Sequence, residues 1–307
     1  MIHAGPLVAQ PHLAAFGGVL DSETQEATET SANRQRLAGE SDCGPVYAGQ
    51  PTVVRKPMLL IVNADDLGAS EAVNDAVFEL MRAGLVTSAT LMANGAAFEH
   101  AARRIEQFPD CSFGVHLNLT SFAPLSGSRN LGPILSRGEF CRELLTKRMC
   151  RELRDDLEHE LVLQVQRAFD AGVAVTHFDS HHFIHLRPVL FPVIKAVQRH
   201  FGIRKCRSAF EAISTGRLLH AVHGKLVDYA LRKVYATRIP SGWCGFRAFH
   251  DALVANALPW FCCLELMVHP GTGSIFFEEE IDLLRSGWQN LLPMTVQLGS
   301  YRQLGTA

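Results

Sequence analysis

From residue 58 onward, short unbroken apolar runs alternate with stretches whose apolar residues recur every three or four positions. The first run, Met58 to Val62, leads into Asn63, Asp65 and Asp66 before Gly68 breaks it. Such a run reads as a buried strand of a parallel sheet, here ending in two adjacent carboxylates. Ser70 then offers a cap for a helix reaching Arg82, with Val73, Val77, Leu80 and Met81 on one face. The same reasoning predicts strands over 86–92, 112–120, 173–179, 203–207, 242–246, 262–268 and 294–298. It predicts helices over 96–107, 151–171, 188–200, 216–235 and 278–291, and a long Gly- and Pro-punctuated loop over 121–140 that should cover a site. Strands alternating with helices imply parallel pairing through right-handed crossovers. Seven or eight such units over about 250 residues suit an irregular α/β fold of the (β/α) barrel kind better than an open sheet. No Gly-x-Gly-x-x-Gly follows the first strand, which argues against a dinucleotide site.

Residues 1–56 lack this patterning; Ser, Thr, Glu, Gly and Ala dominate from Asp21 to Gln50. They are expected to form a loosely attached or disordered extension without chemistry, leaving 57–307 as the folded domain. The chain has 307 residues, 47% of them hydrophobic, and a net charge of -2. That balance argues against a nucleic-acid partner or an anionic membrane surface. No apolar run is long enough to span a bilayer, and the first twenty residues carry no export signal. The eight cysteines show no Cys-x-x-Cys pairing and are read as reduced thiols. A cytoplasmic location is the resulting expectation, and a homodimer is left open.

Polar residues at strand ends carry the chemistry. Adjacent carboxylates at the end of a buried strand repel, unless a cation sits beside them or one acts as a base; the plainer reading is that one caps the next helix. In Gly114-Val-His-Leu-Asn-Leu-Thr120, His116, Asn118 and Thr120 share one face of a strand that should be apolar on both. In Thr176-His-Phe-Asp-Ser-His-His-Phe-Ile-His185, an extended backbone would aim Asp179, His181, Phe183 and His185 the same way. His269 follows a buried run and is held by Pro270 and Gly271. A satisfied core histidine or a His-rich loop would also account for each segment alone. Together, Asp65, Asp66, His116, Asp179, His181 and His269 fall at the C-terminal ends of separate strands, which converge on one mouth in a barrel. A carboxylate with two imidazoles leaves coordination positions for water and substrate, the pattern of metal-assisted hydrolysis. Zinc suits that set, and extra oxygen ligands would admit magnesium. A non-catalytic metal- or sugar-binding protein is the competing class.

At these segments, and at Leu60 to Gly68, Val86-Thr-Ser-Ala-Thr90, Glu265-Leu-Met-Val-His-Pro-Gly271 and Leu298-Gly-Ser-Tyr-Arg302, the sequence resembles the YdjC-like carbohydrate deacetylases. That family includes chito-oligosaccharide deacetylases and a hopanoid-biosynthesis-associated branch. The resemblance implies a barrel of the glycoside hydrolase/deacetylase type, one divalent metal ion and a small carbohydrate substrate. Carried over position by position, it implies Asp66, His116 and His181 as ligands, Asp65 as general base and His269 as general acid. Asn118, Asp179, His185 and Arg207 are then expected to face substrate. The family segment often reads Asp-x-His-x-His-x-His; here Phe183 stands at the middle His.

Overall fold

The computed structural model describes residues 56–146, 149–213, 218–273 and 275–305. The expectation for 1–56 therefore falls, except at Lys56, outside the described residues. In chain order the elements are β1 (Met58–Leu67), α1 (Glu71–Arg82), β2 (Ser88–Leu91), α2 (Phe98–Ile105), β3 (Ser112–Leu117), β4 (Leu135–Ser136), β5 (Glu139–Phe140), α3 (Arg151–Asp170), β6 (Val175–Ser180), α4 (Phe191–Phe201), α5 (Leu218–Lys233), β7 (Gly242–Gly245), α6 (Phe246–Val254), β8 (Cys263–Val268), α7 (Ile275–Arg285) and β9 (Val296–Gly299).

β1 is the central strand because it is apolar on both faces and every one of its residues but Leu59 is buried. The sheet has seven strands in the order β6-β3-β2-β1-β8-β7, with β9 also on β1, and every ladder in it is parallel. β9 pairs with Met58–Ile61 and β2 with Asn63–Leu67, so the two share one edge of β1 in succession while β8 takes the other. The ladders run from β6 round to β7 and do not continue between those two. There the segment after α4 makes single bridges: Cys206 to Phe178 in β6, Lys205 to Arg238, and Glu211 to Trp243 in β7. The expected parallel α/β fold is present; the fifth strand is reduced to these contacts.

Local signals placed most helices. Ser70 caps α1, its hydroxyl accepting the Val73 N–H at 3.2 Å, and α1 buries Val73, Val77, Phe78, Leu80 and Met81. Gly202, at φ 70°, ends α4. The expected helix over 278–291 is two pieces, because Gly287 (φ 77°) breaks it before a 3₁₀ turn, Trp288–Leu291. α6 was not predicted. Its N-cap is Gly245, which brings no side chain; Glu280 of α7 bonds the Phe246 amide instead. The loop over 121–140 holds a 3₁₀ turn and the β4–β5 hairpin. Buried Glu160 of α3 pins it by accepting the Leu125 and Ser126 N–H groups at 3.1 and 2.8 Å.

Two expectations of extended backbone fail. β3 ends at Leu117, because the Asn118 side-chain oxygen accepts the Thr120 and Ser121 N–H groups at 3.0 and 3.1 Å and turns the chain. β6 ends at Ser180, and His181–Leu186 coils into a 3₁₀ turn with His182 and Phe183 in left-handed conformation (φ 52° and 55°). The Ser180 hydroxyl oxygen drives that turn by accepting the His185 N–H at 3.0 Å. The side chains of residues 181, 183 and 185 thus diverge instead of sharing a face.

Candidate active site

The two carboxylates at the end of β1 are separated by a backbone kink. Asp66 has φ 63°, a conformation uncommon for any residue but glycine, and the β1–β2 ladder slips between Ala64 and Leu67. The kink gives each carboxylate its own surroundings. Asp65 accepts from Asn63 Nδ2 at 3.0 Å and from both terminal nitrogens of Arg207, at 2.7 and 2.5 Å. Burial would raise its pKa, but the Arg207 charge and its paired hydrogen bonds bring it down to about 2. Asp66 faces the other way: its Oδ1 lies 3.2 Å from His116 Nε2 and 3.0 Å from His181 Nδ1. Burial again works against its charge, and the two rings outweigh it, holding the carboxyl well below the usual range.

The donor set fits a cation. His116 Nδ1 lies 2.7 Å from Asp179 Oδ1, so that ring N–H is donated there and Nε2 is the nitrogen turned toward Asp66. Asp66 Oδ1 is buried and, despite the short distances, makes no hydrogen bond. Asp66, His116 and His181 thus bring three ligand atoms within 4.8 Å of one another. Burial disfavours charge on the His116 ring, yet Asp179, Asp66 and Asp65 hold its pKa well above the ordinary value; the pocket draws positive charge. Among the described residues a second set, Asp65, His116 and Asp179, also brings three ligand atoms within 4.8 Å. Its carboxylates are already engaged by Arg207, whose Nη2 lies 2.9 Å from Asp179 Oδ2, so the Asp66 set is the better fit.

Arg207 is the hub beneath the mouth. Wholly buried, it also donates Nε and Nη2 to Glu265 Oε1 at 2.9 and 2.8 Å. Burial raises the Glu265 pKa against the pull of Arg207 and of Tyr301, whose hydroxyl donates to Glu265 Oε2 at 2.5 Å. The Tyr301 ring stacks on His177, centroids 3.6 Å apart, and His177 Nε2 reaches Asn63 Oδ1 at 3.3 Å. Three carboxylates, Asp65, Asp179 and Glu265, therefore surround one guanidinium, and Asp66 adds a fourth beside His116 and His181, a surplus of negative charge that a divalent cation would offset.

The sequence-derived candidates gather unequally. Asp65, Asp66, His116, His181 and His269 meet at the mouth, with His269 Nε2 3.7 Å from Asp65 Oδ2. The residues expected to face substrate sit deeper. Asp179 and Arg207 are fully buried within the ion-pair hub. His185 is 1% exposed and bonded to Ser180 Oγ at 2.5 Å. Asn118 is buried and spends its amide on Asn94 Oδ1 (3.0 Å) and Ser121 O (2.7 Å). Sequence reasoning missed Glu265, Tyr301, Thr90 (2.9 Å from Asp179 Oδ2) and Glu280. A glutamate inside the apolar run of β8 was the one visible signal.

Glu280 holds the turn that carries His269. Only 4% exposed, its Oε2 accepts the His269 backbone N–H at 3.2 Å. Burial pushes its carboxyl up to about 7, from 4.5. A raised carboxyl pKa favours folding while protonated: the contribution is complete below pH 4.5 and gone once pH passes about 7. Urea unfolding across that window is expected to show the wild type losing about 3 kcal/mol relative to Glu280→Gln. Parallel pH profiles for the two proteins would show that Glu280 is charged throughout.

The sequence model of the YdjC-like protein family matches residues 59–288. The chain belongs to the YdjC-like family. It is 41% identical to a carbohydrate deacetylase of Geobacillus stearothermophilus over 50% of this chain and 62% of that protein. It is 35% identical to a carbohydrate deacetylase of Brevibacillus brevis, over 54% and 70% of the two chains, and 37% identical to a chitooligosaccharide deacetylase of Salmonella typhimurium, over 48% and 58%. The match to the first of these YdjC-like relatives thus spans about three-fifths of its length. In fold, the chain resembles a crystal structure from Enterococcus faecalis V583 of a protein proposed to cleave cellobiose phosphate: TM-score 0.66 and 20% identity, covering 81% of this chain and 99% of that one. Among the described residues, no helix is long and apolar enough to cross a membrane.

Proposed function

We propose that this YdjC-like chain is a metal-dependent carbohydrate deacetylase, releasing acetate from an N-acetylated sugar or oligosaccharide. The observation that carries this is the division of labour at the end of β1: Asp66 turned toward two imidazole nitrogens, and Asp65, one residue away, locked on Arg207. The curated names of the relatives support the substrate class.

Asp66, His116 and His181 would hold one divalent cation, and with two imidazoles in the set zinc suits it better than magnesium. When bound, such a cation polarises an acyl oxygen and makes a water molecule far more acidic. Asp65 receives the proton of the attacking water; with its pKa near 2 it is a weak base, so it needs an acidified water as its partner. Arg207 keeps Asp65 ionised and fixes both its oxygens. His269, on the Asp65 side of the mouth, gives a proton to the departing sugar amine. Asp179 sets the His116 ring through Nδ1.

Acetate release from N-acetylglucosamine and N-acetylated chito-oligosaccharides, with and without chelator, tests this directly. Release that stops on chelation and returns with one added metal is the expected result, alongside about one metal per chain by elemental analysis. A metal-loaded protein that releases no acetate from any of these sugars defeats the proposal and favours a binding protein. Asp66→Ala is expected to lose the metal with the activity.

A further inference from the structure

The turn after β6 places an aromatic pair beside Arg207, the partner of Asp65. His182 and Phe183 are consecutive non-glycine residues in left-handed backbone, a strained arrangement for a bulky side chain that surrounding structure must hold. Its effect is to set the Phe183 ring against Trp243 of β7, centroids 4.9 Å apart and planes tilted by 32°. The same ring lies 5.9 Å from the guanidinium carbon of Arg207, the group that holds Asp65. Phe183 follows the candidate ligand His181 by two residues, and both Phe183 and Trp243 keep part of their surface open.

Phe183 has two ring neighbours with an unmet hydrogen-bonding atom: Trp243 Nε1 and, on a ring 6.3 Å away, His185 Nε2. Ser180 Oγ accepts the His185 backbone N–H at 3.0 Å and also engages His185 Nδ1 at 2.5 Å, so Nε2 is the ring nitrogen left without a partner. Burial, with the Arg207 charge behind it, pushes the His185 pKa down to about 3, so the ring is neutral. Two buried ring nitrogens thus lack partners beside a partly open aromatic pair. Buried polar atoms ordinarily find partners, so their shared lack points to a ligand bearing hydrogen-bonding oxygens and a flat apolar face. A pyranose ring has both: C–H groups on one face and hydroxyl, ring or acetamido oxygens at its edge.

We propose that Phe183, Trp243 and His185 form a sugar subsite, and that Phe183 is its specificity-determining residue. The inference rests on the carbohydrate reading above and adds where the sugar ring sits. Phe183→Asn removes the ring but suits the left-handed backbone, since asparagine tolerates that conformation; thermal unfolding checks that it folds. Phe183→Tyr keeps the ring. With N,N′-diacetylchitobiose, Phe183→Asn is expected to raise KM about tenfold, an effect of the size aromatic contacts provide. Its kcat stays within about threefold, Phe183→Tyr restores KM, and turnover of p-nitrophenyl acetate is unchanged in both. Calorimetry with the deacetylated disaccharide reads the same subsite without turnover and should show the same loss. An unchanged KM and Kd in Phe183→Asn, or equal loss of turnover on the sugar and the ester, overturns the subsite. If the wild type binds the disaccharide but releases no acetate, the deacetylase reading fails and the subsite stands.

Discussion

Arg207→Met is expected to destabilise the fold by about 3–5 kcal/mol, the range found when one partner is removed from a buried ion pair. Methionine fills much of the volume, so the loss is electrostatic. Asp65, Asp179 and Glu265 each lose a guanidinium contact of 2.9 Å or less, and all three are buried. Water cannot replace those bonds where the residues have no exposed surface. Arg207→Lys separates charge from geometry: it keeps the positive charge but cannot grip Asp65 with two nitrogens while donating to Glu265. It should fold with a smaller loss, and turnover should fall because Asp65 is no longer held. Urea unfolding of the three proteins measures this, and an Arg207→Met midpoint equal to wild type would mean the hub contributes nothing to stability. Arg207 acts through Asp65 and is a positioning residue.

Asp65→Asn is expected to lower kcat by about 10²–10⁴, the usual contribution of a general base, while metal content stays at the wild-type level. The separation is possible because Asp66, not Asp65, faces His116 and His181. The amide keeps one oxygen for Arg207, so folding should survive. Acetate release and elemental analysis on the same sample decide it. Near-full activity would remove Asp65 from the base role. Metal lost together with activity would show that the carboxylates share the cation and that the kink at Asp66 does not divide their work.

The alternation of apolar runs with helical periodicity was sufficient to place six ladder strands of the main sheet, β1, β2, β3, β6, β8 and β9, within a few residues, and β7 as far as Gly245. It also located the polar residues that end those strands. Both signals are local: a buried strand must be apolar, and a charged residue that interrupts one is conspicuous. The pattern could not show that β3 stops at Leu117 or that the chain coils after Ser180. Those breaks depend on Asn118 and Ser180 bonding nearby amides in preference to the ladder, and either residue could equally have stayed in a strand.

The site divides in the same way. Asp66 and His269 were visible because each follows an apolar run, His116 because it puts polarity on the face of a buried strand, and His181 because it stands in a His-rich segment. Arg207 looked like a residue facing substrate, and Glu265 and Tyr301 like ordinary strand and tail residues. Their partners lie far along the chain: 142 residues separate Arg207 from Asp65, 58 separate it from Glu265, and 36 separate Tyr301 from Glu265. Single sequence periods carry no information over such distances. Which of two adjacent aspartates meets the imidazoles was open for a related reason. Spacing specifies only alternate faces of a strand, and a φ of 63° at Asp66, held by packing at the mouth, overrides that alternation. The residue sequence therefore determined which chemical groups reach the ends of the strands. The tertiary structure alone decided which of them face each other, because a buried charge takes its role from the nearest opposite charge and not from its neighbours in the chain.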